Sequence, residues 1–440
     1  MLTLCKLWLK NLSMKISMTK YILSLLICTA HFFCAAQMND SVFYQNIKTP
    51  QLFVYGNQLA YPVINLNGQQ QLELHFDDLD ADVKNYSYTY QLCNADWAPA
   101  IVSEFDFIKG FTQIRINNYN LSSLALTKYT HYQALLPDQN CIPTKSGNYI
   151  LKVFLNGDTS QLAFTRRFLV LDNSVNIAAQ ILQPFDPQYS RSHQKLQINV
   201  NMRTLNVANP LQQMKICVLQ NYRWETAINN IQPTFYSGNN LQYNRDDDFI
   251  FPGGQEWRWL DLQALRYQSD RIQRGVYNKN STEIYARPDK DRSKLPYYYF
   301  NDYNGFYYIQ TTESINPLWQ TDYATVHFSF VPSENIPFPD KDVYIIGRLT
   351  DYKLNDSTKM NFNAERGMYE ASVLLKQGFY NYSYATIDRN DPRKNLSFEF
   401  TEGNHLETEN DYIILVYYRD LGGRADQLVG MVKLNTLARR

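Results

Sequence analysis

Residues 72–93 read LELHFDDLDADVKNYSYTYQLC, and within them apolar side chains fall twice on every second position. Leu72, Leu74 and Phe76 make the first run; Tyr86, Tyr88, Tyr90 and Leu92 make the second. Successive side chains of an extended chain point to opposite faces, so this spacing describes strands half buried on a sheet. The alternation returns at Tyr149, Leu151, Val153 and Leu155, directly after the turn-forming KSGNY, and NLNGQ at 65–69 supplies another reversal. The fold class expected is all-β, built as three consecutive antiparallel sandwiches of the immunoglobulin-like or early-set kind.

The chain of 440 residues is too long for one simple sandwich, and its 34 Tyr, 24 Phe and 6 Trp set it far from an aromatic-poor disordered composition. Its first 36 residues carry Lys6, Lys10, Lys15 and Lys20, no acid, and the apolar run YILSLLICTAHFF. This is the pattern of a secretory signal peptide, with Cys34 and Ala36 as the small residues before cleavage and Gln37 as the new terminus. The long polar lead-in allows a start at Met14 or Met18 as well as Met1, and Cys34 is the residue a lipoprotein leader would modify. Later segments contain no run of about 18 apolar residues, so no spanning helix is expected. Without the four leader lysines, 38 basic residues face 42 acidic ones, a balance that speaks against nucleic acid as a partner. Three cysteines remain beyond the leader, Cys93, Cys141 and Cys217; a Cys93–Cys141 bridge and three lone buried thiols are both compatible with the count.

The expected division is a leader at 1–36, a first sandwich at 37–172, a middle β unit at 173–332 and a third sandwich at 333–440. The last boundary rests on VPSENIPFPDK, where Pro332, Pro337 and Pro339 disfavour regular structure. In the middle unit, LPYYYFNDYNGFYYIQ at 295–310 reads as an aromatic hairpin, with Asp302, Asn304 and Gly305 at the reversal. Aromatics on both faces suit a strand pair packed on one side and covered by side chains or a partner on the other. Alternation in Glu256-Trp257-Arg258-Trp259 puts the two tryptophans on one face and Glu256 with Arg258 on the other. Trp, Tyr and Arg concentrate at interface hot spots, so Glu256, Trp257, Arg258, Tyr298 and Tyr308 are the residues expected to meet a partner.

Motifs for chemistry are wanting. Asp78, Asp80 and Asp82 begin like a calcium loop, but Val83 stands where a glycine is needed and Thr89 where a glutamate closes the site. Asp246, Asp247 and Asp248 read as a turn before a strand. His75, His131, His193, His327 and His405 show no zinc spacing, and neither a nucleophile elbow nor a phosphate loop is present. The expectation is a non-enzyme with no catalytic residue, cofactor or metal.

Several stretches taken in order resemble the type IX secretion system plug protein family of Bacteroidetes. They are LHFDDLDADVKNYSYTYQLCNADWAP, FIKGF, YTHYQALLP and KSGNYILKVF, then LQYNRDDDFIFPGGQEWRWLDLQALR and YYYFNDYNGFYY, then VYIIGRLTDY and YEASVLLKQGFYNYSYA. Near Gly254 the family pattern has Asn-Glu-Phe-Arg where this chain has Gln255, Glu256, Trp257 and Arg258. The resemblance implies a periplasmic protein that binds the periplasmic mouth of the outer-membrane β-barrel translocon and seals it when no substrate is present. The third sandwich is also similar to glycogen-binding-type modules, which implies the alternative of an α-glucan-binding accessory protein. Tyr352 stands there where a sugar-binding tryptophan is usual.

Overall fold

The computed structural model describes residues 39–267 and 269–439. The expected leader, its cleavage after Ala36 and the modified Cys34 lie outside the described residues. Strands and loops make up nearly all of the described chain, as the period-two pattern requires. Helix is confined to single turns, and no helix of the described residues is long and apolar enough to cross a membrane.

The first unit is a sandwich of two sheets. One sheet is built on strands Leu162–Leu171, Gly147–Leu155 and Tyr86–Cys93, the other on Ile47–Val54, Leu72–Asp78 and Thr130–Leu136. Leu72, Leu74, Phe76, Tyr86, Tyr88, Tyr90 and Leu92 all face the shared core, the alternation that the sequence displays. The opposite face of the first sheet is not solvated. Cys93, Ile150 and Leu169 pack there on Cys217, Leu219, Ile413, Leu415 and Tyr417 of the next unit. This is why YIILVYY at 412–418 is apolar without a period: Tyr412, Ile414 and Val416 point into one core while Ile413, Leu415 and Tyr417 point into the seam.

Strand pairing does not follow the contiguous division expected from the prolines. Strand Tyr323–Val331 pairs with Met368–Lys376 in one sheet, so the Pro-rich 332–339 segment joins two strands of a single unit. Arg258–Asp261 also belongs to that unit, paired with Gly378–Asp388, and the whole forms an 11-stranded sheet folded over its own core. The chain then returns: Asp411–Tyr418 pairs with Met214–Gln220 and with Gln427–Asn435, closing the sandwich of the middle unit. Its core joins Leu196, Ile198 and Val200 to Ile414 and Val416. The third unit is thus inserted between two parts of the middle one.

Cys93, Cys141 and Cys217 are free and buried, which settles the cysteine question in favour of lone thiols, and burial pushes all three thiols up to about 12. At the Asp78 loop, the Lys84 ammonium lies 2.9 Å from Asp78 and 3.2 Å from Asp82 and also pairs with Asp80. The lysine fills the place that a calcium ion would need.

Candidate functional site

The Glu-Trp-Arg-Trp segment lies on the seam between the middle and third units. The expected alternation holds only from Arg258 onward, because the ladder runs over Arg258–Asp261. Arg258 and Leu260 therefore point inward, and Arg258 is met in register by Tyr382. The guanidinium donates from Nε and Nη2 to Glu402 at 2.9 and 3.0 Å and from Nη1 to Asp289 at 2.9 Å. Glu402 also accepts from Arg292 at 2.7 Å, and Asp289 from the hydroxyls of Tyr382 and Tyr384 at 2.7 and 2.9 Å. Burial opposes both carboxylates, but the arginines beside them hold each below the usual carboxylate range.

Trp257 is buried and packs on Tyr352, Ile346 and Ala385. Gly305 takes φ +83°, and a Cβ there would sit 2.9 Å from the Trp257 ring, so glycine is required on both counts. Glu256 is fully buried as well. Three of the five residues expected to meet a partner, Glu256, Trp257 and Arg258, are therefore interior, and the expectation that they form a contact surface is corrected. Tyr298 stays at 75% exposure and Tyr308 is half-buried, so these two remain available.

The aromatic stretch is not a hairpin either. Only Tyr307–Ile309 joins a ladder, against Gly378–Asp388. Upstream, side chains take the backbone donors that a partner strand would have used. Asp302 accepts from the amides of Trp257 and Asn304, and Asn381 from that of Tyr303. The outward face of this region carries stacked, half-buried rings. Trp259 stacks on Phe379 at 6.0 Å, Phe379 on Tyr308 at 5.8 Å, and Tyr303 meets Tyr308 edge-on at 5.6 Å. Arg271 lies 5.9 Å above the Trp259 ring. Trp259, Tyr303 and Phe379 were not among the residues expected to meet a partner; alternation sets Trp259 opposite Arg258, as found, but does not say which of the two faces is outward.

Behind this ladder, carboxyl oxygens of Glu256, Asp302 and Glu409 lie within 4.8 Å of one another. Glu256 accepts from the Tyr297 hydroxyl and from the Glu409 amide at 3.1 Å. No lysine or arginine side chain bonds to any of the three carboxyls among the described residues, and burial drives all of them upward, Glu256 to about 7. A carboxyl raised from its ordinary 4.5 to about 7 gives the folded state an extra proton between those values. Its contribution to stability is complete below pH 4.5 and is lost as the pH rises through 7. Glu256→Gln is expected to flatten the wild-type decline in melting temperature over that window and to leave the variant the more stable at pH 8; thermal melts across the pH range check this.

A multi-unit β protein with an interlocked core and an outward aromatic ladder is the class that this geometry defines. Residues 47–172 match the family described as "Type 9 secretion system plug protein 1st domain". No curated protein matches the chain. Among solved structures, a hypothetical protein from Parabacteroides merdae ATCC 43184, determined at 2.30 Å, is 32% identical and superposes with a TM-score of 0.87, covering 91% of this chain and 100% of that one. The chain belongs to the type IX secretion system plug protein family. Its family thus places it in type IX secretion.

Proposed function

We propose that this protein is a non-enzymatic periplasmic plug, which binds the periplasmic opening of the type IX outer-membrane barrel and closes it while no substrate occupies the channel. Family membership carries the reading, and the interlocking of the three units supports it. A stopper must hold its width without ordering on contact, since ordering costs affinity. Here the outer face of one sandwich is buried on the next, and the third unit is tied to the first by Arg166 to Asp351 at 3.0 Å and by the Ile309 amide to Gln58 at 2.7 Å.

The docking surface proposed is the ladder of Trp259, Phe379, Tyr308 and Tyr303, with exposed Tyr298 as a further contact. Half-exposed rings beside an arginine make an interface of moderate polarity, one that can release. Tagged protein is expected to retain the barrel on affinity resin, and Trp259→Ser with Tyr308→Ser to weaken that retention by about 30-fold, the effect of removing a hot spot worth about 2 kcal/mol. Unchanged retention by a folded variant would remove the ladder from the interface; failure of the wild type to hold the barrel would remove the plug reading. The α-glucan alternative gains nothing from Tyr352, which is buried against Trp257 and cannot stack on a sugar.

A further inference from the structure

Between the middle and third units lies a cavity of about 290 Å³, close to the lower end of the range of about 300–1,000 Å³ for small-molecule sites. One wall comes from the turn at 221–226, another from the loop around Pro252, and a third from the 396–398 segment. Its apolar lining includes Phe251, Trp257 and Phe398. Arg223 reaches into the same space. The residue is 4% exposed, its Nε has no hydrogen-bond partner, and its side chain makes no hydrogen bond or ion pair with any described residue. Its guanidinium lies instead above the rings of Phe398 and Tyr352, at 5.2 and 5.8 Å. A second polar atom lining the cavity, the buried Thr226 hydroxyl, is equally unpartnered.

A buried cation without an acceptor is costly, and a fold retains one where something supplies the acceptor. The cavity's own acid does not supply it. Both oxygens of Glu402 are already taken, by Arg258 and Arg292. Glu225, next but one along the chain, acts on Arg223 through space and partly opposes the lowering that burial imposes, but it makes no hydrogen bond or close ion pair with the guanidinium among the described residues. The backbone is also held in place at some expense. Asn221 and Tyr222, immediately before Arg223, adopt φ +53° and +57°, a left-handed pair that side-chain-bearing residues adopt only when the surroundings hold them there. The Asn221 side chain fixes that pair, donating to Asn410 at 2.7 Å and accepting from the Asp411 amide at 2.8 Å. The effect is to aim Arg223 at the cavity.

We propose that this cavity binds a small carboxylic acid with an apolar body, the carboxylate accepting from Arg223 and Thr226 and the body lying against Trp257 and Phe398. Guanidinium groups match carboxylates in charge and shape, and the aromatic walls add apolar burial. The proposal is independent of the plug reading, because none of the four ladder residues lines the cavity and no barrel is required.

Calorimetric titration of the full chain with phenylacetate and with phenylacetamide tests it, since the two probes share a ring and differ in charge. Saturable binding of the acid is expected, with the amide weaker by about ten-fold, the cost of losing a charged hydrogen bond. Arg223→Gln is expected to abolish that preference and Thr226→Val to reduce it several-fold, both with circular dichroism unchanged. Equal affinity for acid and amide, absence of saturable acid binding, or full acid affinity in folded Arg223→Gln would each overturn the proposal. Should Arg223→Gln not fold, the acid–amide difference in the wild type and its reduction in Thr226→Val decide the matter.

Discussion

Arg258→Ala is expected to lower stability by about 3–5 kcal/mol, because truncation leaves two interior carboxylates, Glu402 and Asp289, short of the cation they share. Each keeps one arginine, Arg292 or Arg271, so the network is weakened and not emptied. Arg258→Lys is not expected to rescue it. A lysine offers a single ammonium where the guanidinium serves Glu402 through two nitrogens, Asp289 through a third, and the Lys290 carbonyl at 2.8 Å. The units interlock, so the first transition in urea, followed by fluorescence, is the quantity to compare. Loss of barrel retention in this variant would report the fold and not the interface. A variant that melts like the wild type would contradict the interior assignment.

The same residues show how far the sequence could be read. Strands were legible wherever one face was buried, since Leu72 to Phe76 and Tyr86 to Leu92 display their period openly. Partner choice was not legible, because alternation describes a strand and says nothing about which strand lies beside it. The return of Asp411–Tyr418 to Met214–Gln220 joins residues almost 200 positions apart, and nothing in either run marks the other. Proline misled for a related reason. It forbids a ladder donor at 332–339, and a connector inside a sheet needs that as much as a boundary does. In Glu-Trp-Arg-Trp the residue types were right for a site, and Arg258 and Trp259 do face opposite ways, but the period does not say which face is interior. Arg223 carried no signal at all, since its importance lies in what fails to meet it.

Lys376→Met should be nearly as damaging, and its pH dependence should be diagnostic. Lys376, on a strand of the third unit, pairs with Asp77 of the first, with side-chain exposures of 2% and 1%. Asp77 also accepts from the Tyr323 hydroxyl at 2.6 Å and from His131 Nδ1 at 2.6 Å. Burial holds His131 down to about 4, so its ring is neutral, donates from Nδ1 and accepts at Nε2 from His75 at 3.1 Å. Burial alone would raise the Asp77 carboxyl; Lys376 and His131 outweigh it and hold the group below its ordinary value of 3.8. In the wild type, then, the Asp77 contribution is present above pH 3.8 and is lost as the pH falls through the lowered value. Removing the ammonium reverses the sign. With desolvation unopposed by Lys376, the carboxyl rises above 3.8, and the variant recovers stability as acidification protonates it. The expected loss at pH 7 is about 3 kcal/mol, shrinking as the pH falls. Asp77→Asn combined with Lys376→Met should restore most of it, because the penalty of the single change is the stranded charge and not the lost attraction. A double variant no better than the single would show that the penalty is the lost attraction and not the stranded charge.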